Sequence, residues 1–132
     1  MDILKNPRPD TSQEITLRTI AMPADTNPAG DIFGGWLLSQ MDLAAFARSS
    51  EYSGRRTVTA AVKEVVFRQP VKVGDAVLIF TRIIKIGHTS MTLQVEAWRR
   101  HRAENCEKVT EGIFTMVAMD DQGQPCAVHP QA

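Results

Sequence analysis

One stretch of this sequence has the spacing of a long helix, and almost everything after it has the spacing of strands. From Phe33 or Gly34 to about Tyr52, apolar residues recur at i, i+3 and i+4: Leu37, Leu38, Met41, Ala44 and Ala45, with Arg48 closing the row. Trp36, Leu43, Phe46 and Ala47 carry apolar surface beyond that stripe, so the helix is expected to be covered on most sides. Gly54 follows where a left-handed cap would end it. Beyond Arg56 the pattern is that of strands. Thr57 to Phe67 is rich in Val and Thr, Gln69-Pro70 breaks it, and Val73-Gly74-Asp75 makes a turn. Ala76 to Ile86 and Thr89 to Trp98 flank the short Gly87-His88 connection, which favours an antiparallel hairpin. Val109 to Met119 is the last strand, and Glu14 to Ala21 alternates well enough to be the first.

One helix with a strand before it and four after it is an α+β pattern. The economical arrangement is a curved antiparallel sheet wrapped around a central helix, spanning residues 14–121. A flexible tail is expected over 1–13 and an irregular one over 122–132. In the 76–86 strand, Val77, Ile79 and Ile83 fall on one face and Leu78, Phe80, Ile84 and Ile86 on the other. One helix covers one face of a sheet, so the second apolar face is expected to be buried against another subunit.

The 132 residues carry 15 basic and 15 acidic side chains, so no global field draws the chain to nucleic acid or to a membrane surface. No run reaches the ~18 apolar residues that span a bilayer, and the N-terminus lacks the apolar core of a signal peptide. Two cysteines, Cys106 and Cys126, fit reduced thiols in the cytoplasm. His88, His101 and His129 are scattered without metal-ligand spacing. Gly-x-Ser-x-Gly, phosphate-binding-loop and dinucleotide fingerprints are all missing from the sequence.

The chemistry concentrates around the start of the helix. A turn-rich loop, Asp25 to Asp31, runs into Gly34-Gly35, which opens the helix. A helix start offers unpaired N–H groups and the positive end of the dipole, both suited to negative charge developing on a carbonyl oxygen. The glycine pair either lets a ligand approach the backbone or lets the helix pack closely on a strand. Asp42 sits about two turns further on, between Leu38 and Phe46 at i−4 and i+4. A carboxylate among apolar neighbours loses water and becomes a better base; the plainer reading is a solvated aspartate at the helix edge. Asp31, three residues before Gly34, reads as an N-cap. Pro28 holds Asn27 in an extended conformation, where it either orients a reacting group or bonds its own loop.

The blocks Leu17-Arg18-Thr19-Ile20-Ala21-Met22-Pro23-Ala24-Asp25-Thr26-Asn27, Gly30-Asp31-Ile32-Phe33-Gly34-Gly35-Trp36 and Ser39-Gln40-Met41-Asp42 resemble the hotdog-fold acyl-coenzyme A thioesterases, most closely their short bacterial YciA-type branch. Pro70-Val71 with Val73-Gly74-Asp75, Val95-Glu96-Ala97-Trp98 and Val117-Ala118-Met119-Asp120 extend the resemblance over roughly residues 14–121. It implies the hotdog fold and hydrolysis of acyl-CoA to a free acid and CoA, with CoA entering as part of substrate and product and no separate cofactor or metal.

By position, Asp42 matches the carboxylate that activates water or attacks the thioester. Gly34 or Gly35 matches the backbone donor to the thioester carbonyl, and Asn27 matches a positioning asparagine. The resemblance also implies a homodimer in which loop and carboxylate meet across the interface, and a trimer of dimers. For the CoA moiety the candidates are His88, Thr89, Ser90, Arg99 and Arg100. A hotdog hydratase or dehydratase is the rival enzyme; it wants a histidine near the helix, and none precedes His88. A non-catalytic acyl-CoA-binding protein is the rival of another kind.

Overall fold

The computed structural model describes residues 14–103 and 105–129. The tail expected over 1–13 lies outside the described residues. The elements run β1 (Leu17–Ile20), a 3-10 turn (Pro23–Asp25), α1 (Gly34–Ser53), β2 (Arg56–Phe67), β3 (Ala76–Ile86), β4 (Ser90–Arg100) and β5 (Glu107–Met119). All five strands form one antiparallel sheet in the order β1-β3-β4-β5-β2, and α1 packs against β2, β3, β4 and β5. A helix wrapped by a curved sheet is the architecture that alternation and helical spacing had pointed to.

The inner faces of β4 and β5 supply the floor. Met91, Leu93, Val95 and Ala97 of β4, with Phe114, Met116 and Ala118 of β5, are fully buried under Leu37, Met41, Ala44 and Ala45 of α1. This is the period-two row meeting the helical row. The segment after β5 is irregular but docked: Cys126 N–H donates to Ala118, Val128 N–H donates to His88, and Val128 sits in the core. The packed body therefore reaches past residue 121.

Three expectations change in the structure. The first strand spans Leu17–Ile20 rather than 14–21: its ladder with β3 runs from Leu17 opposite Ile79 to Ile20 opposite Ala76, and Thr16 adds a bond to Ile79 just before it. A bulge between Ile83 and Lys85 puts Ile86 opposite Met91, on the inner face, and leaves Ile84 as the extra residue. Simple alternation had placed both residues on the outer face. Leu78 and Phe80, expected to need another subunit, are already buried beside Trp98 within one chain. Of the apolar side chains on β3 only Ile84 and Ile86 stay exposed, and further exposed apolar surface includes Leu43 and Phe46 on α1 and Val58, Val62, Val66 and Phe67 along β2. Among the described residues no helix is long and apolar enough to cross a membrane.

Candidate active site

The loop that leads into α1 is held by its own asparagine. Asn27 Oδ1 accepts from the N–H groups of Ala29 (3.0 Å) and Asp31 (3.1 Å), while its own N–H donates to the carbonyl of Asp31 at 2.7 Å. Of the two roles open for Asn27, its acceptor oxygen is taken up by the loop. Gly30, at φ +89, supplies the left-handed residue that the tight turn requires. Asp31 does not cap the helix. The N-cap is Phe33, without a side-chain bond, and Asp31 instead pairs with Lys72. The cap position lies two residues further on because Phe33 donates its N–H to Asp25 and is drawn toward that turn.

With no capping side chain, the first turn of α1 is left open. Leu37 N–H donates to Phe33, but the N–H groups of Gly34, Gly35 and Trp36 have no acceptor among the described residues. A Cβ on Gly35 would meet nothing within 4 Å, so a ligand can come close to this backbone. Beside it lies a cleft of about 340 Å³ whose lining includes Ile32, Phe33, Gly34, Leu37, Phe67 and Val71. Free donors at the positive end of a 20-residue helix, next to a cleft, are chemically suited to an oxygen that carries negative charge.

Asp42 is half-buried on the flank of α1 that faces β2, where Thr59 Oγ1 donates a hydrogen bond to its Oδ1. Thr59 was not singled out from the sequence. Its signal was present only as one threonine in a Thr-rich strand, and the partner is 17 residues away. Asp42 and Gly34 share the helix, yet eight residues at ~1.5 Å each separate them by about 12 Å along the axis. A carbonyl bonded to the first turn is out of reach of the same chain's Asp42. One rigid element therefore carries both groups without bringing them together.

The residues proposed for the CoA moiety separate as well. His88, Thr89 and Ser90 form the β3–β4 turn, whereas Arg99 and Arg100 end β4, roughly 30 Å away at ~3.4 Å per residue. Arg99 is committed within the chain. It donates to Glu107 (2.6 Å) and to the carbonyl of Pro70 (2.8 Å), and lies 3.7 Å from the fully buried Asp75, which also meets His101 Nδ1 at 2.6 Å. That cluster ties the end of β4 to the 70–75 loop behind the cleft. Glu111 on β5 is held below the usual carboxylate range, chiefly by the hydrogen bond from Arg68 and also by Lys108. Among the described residues no group of acidic, histidine or cysteine side chains could hold a metal ion.

Comparison with known proteins gives one consistent picture. The sequence profile of the thioesterase superfamily matches residues 29–106. The acyl-CoA thioester hydrolase YciA of Salmonella typhimurium is 45% identical over 116 residues, covering 85% of this chain and 87% of that protein. The hexameric thioesterase y2039 of Yersinia pestis superposes with a TM-score of 0.86 at 46% identity, covering 91% of this chain and 98% of that one. HI0827, a hexameric broad-specificity acyl-CoA thioesterase, superposes with a TM-score of 0.85 at 38% identity over 93% of this chain and 85% of that one.

Proposed function

This chain belongs to the thioesterase superfamily and has its hotdog fold, and from that premise we propose that it hydrolyses acyl-CoA thioesters to a free carboxylic acid and CoA. The observation that carries the reading is the open first turn of α1: three N–H donors without acceptors beside an apolar cleft. The likeness to YciA and HI0827 supplies the substrate class.

In the proposed reaction the thioester carbonyl lies against the N–H groups of Gly34 and Gly35. Asp42 takes a proton from water as the water oxygen bonds to the carbonyl carbon. The negative charge that develops on the carbonyl oxygen meets donors already in place, worth about 3–4 kcal/mol per donor. The C–S bond then breaks, and the leaving CoA sulfur takes the proton held by Asp42, which restores the carboxylate. Thr59, by donating to Oδ1, holds the carboxylate so that Oδ2 faces the water.

The 12 Å separation within one helix makes the dimer part of this proposal. The apolar side chains exposed at Phe33 and on α1 (Leu43, Phe46), with the unpaired edge of β2, are the surface proposed to be buried in the dimer. A two-fold axis passing between antiparallel α1 helices near Leu38 sets each Asp42 beside the other copy's Gly34. Burial of those apolar side chains, each worth about 1.5–3 kcal/mol when fully covered, favours that pairing. Trimerisation of such dimers into a hexamer, as in y2039 and HI0827, is the proposed complete assembly. Arg100, for which no bond is seen among the described residues, is kept as a proposed contact for the CoA phosphates. The acyl-CoA substrate and the free thiols of Cys106 and Cys126 favour the cytoplasm as the site of action.

The test is thiol release from a panel of acyl-CoAs by the purified protein, Asp42→Asn and Thr59→Val. The wild type should turn over. Asp42→Asn should lose about a hundredfold or more in kcat, and Thr59→Val a smaller factor with a displaced pH–rate profile. Binding without thiol release by the wild type would turn the reading to a non-catalytic acyl-CoA-binding protein.

A further inference from the structure

Phe67 ends β2, and half of its surface (51%) is exposed. Its register opposite the buried Thr110 turns it to the inner face of the sheet. There its ring atoms Cε1 and Cζ lie 3.4 Å from the position of a Cβ on Gly34, so the ring rests against the first turn of α1. It is one wall of the cleft, next to the N–H groups that have no acceptor. The deep part of the wall is apolar, with Ile32, Leu37 and Val71 all buried, while Gln69 and Pro70 also line the cleft. The charge nearest the ring, Arg68, is turned to Glu111 and lies at the rim.

We infer that Phe67 sets the length of acyl chain this site accepts, by closing the apolar cleft beside the oxyanion donors. The inference rests on the acyl-CoA reading above. The chemistry of the wall selects the occupant. A methylene chain loses nothing against the buried Ile32, Leu37 and Val71, whereas the amide groups of the pantetheine arm find partners only at the rim and at the first turn of α1. A half-exposed aromatic ring is also the wall most easily moved or trimmed without emptying the core. Shortening it lengthens the cleft on the side of β2.

The experiment compares chain-length profiles, by binding as well as by turnover. Affinities for butyryl-, octanoyl- and palmitoyl-CoA and for free CoA are measured by calorimetry on Asp42→Asn and on Asp42→Asn with Phe67→Ala. Values of kcat/KM for the same esters are measured on the wild type and on Phe67→Ala. The ratio of long-chain to short-chain values should rise about tenfold or more, the scale at which apolar pockets discriminate added methylenes, with free CoA unaffected.

Phe67→Leu should move the ratio in the same direction by less, which keeps the test available if the alanine variant folds poorly. An unchanged profile in the leucine and alanine variants overturns the inference. A uniform loss that includes free CoA also overturns it, because the cleft would then hold the pantetheine arm. A moved binding profile in a protein that releases no thiol would sustain the inference and sink the hydrolytic reading, so the two failures are distinguishable.

Discussion

The two ends of α1 are built on opposite principles. At its C-terminal end the helix is capped and its hydroxyl groups are paired, although Arg48 Nε and Arg55 Nε are buried nearby without a partner among the described residues. Gly54, at φ +69, closes the helix with its N–H donating to Ser50. Ser53 Oγ donates to the Ser49 carbonyl, and Thr57 Oγ1 shares hydrogen bonds with Ser49 (2.8 Å) and Ser50 (3.0 Å) in the interior. At the N-terminal end three N–H groups have no acceptor and no side chain caps the helix among the described residues, and Phe33 and Phe67 stand half-exposed beside it. Gly34 and Gly35 are exposed, so their donors stay open to solvent or a ligand, while the cap at the far end fixes where the helix stops. One end of the element is capped and bonded to the fold, and the other keeps the donors on which the proposed function rests.

The sharpest way to break this comparison is to remove one open donor without disturbing the helix. Phe33 sits at φ −57, ψ 133, the conformation a residue before proline prefers, and Gly34 is the first helical position, where proline is well tolerated. Gly34→Pro should therefore fold as the wild type does, while kcat falls by about 10²–10³ through loss of the donor. Gly34→Ala keeps the N–H and should fall far less. Equal losses in the two variants would mean that space, not the donor, matters at this position.

The opposite end should respond in stability and not in rate. Thr57→Val removes the hydroxyl shared by Ser49 and Ser50 and should cost about 1–2 kcal/mol in denaturant unfolding at fixed protein concentration, with kcat unchanged. A fall in kcat as large as that of Gly34→Pro would show that the two ends are not independent.

The smallest effect belongs to the surface pair that steadies the rim of the cleft, Arg68 with Glu111. Glu111 titrates lower in the folded chain than in the unfolded one, mainly through the bond from Arg68. Its contribution is therefore fully present above the ordinary carboxylate range and is lost as pH falls through the lowered folded value. Glu111→Gln should cost up to about 1 kcal/mol near neutrality, and the difference from wild type should vanish in acid. A cost that persists in acid would assign the effect to packing and not to charge.

Much of this was legible in the residues because it is local. The limits of α1 follow from the i, i+3, i+4 row and from Gly54, and β3 runs over the span its alternation marks, since both patterns depend on neighbours a few residues apart. The face of Ile86 was not legible, because a bulge against β4 decides it. Asp31 was misread as a cap for the same reason: Lys72, 41 residues away, competes for it.

At the site, the sequence by itself determined which groups are available: Gly34-Gly35 at a helix start, Asp42 further along the same element, and Asn27 in a loop stiffened by Pro28. Tertiary structure alone decided what those groups meet. It set Thr59 on Asp42, laid the Phe67 ring against Gly34, committed Arg99 to Glu107 and Pro70, and parted the helix donors from the carboxylate by a length that one chain does not bridge. Spacing along a chain specifies faces and ends, whereas contacts between strands and helix depend on register and on folding the whole sheet around one axis.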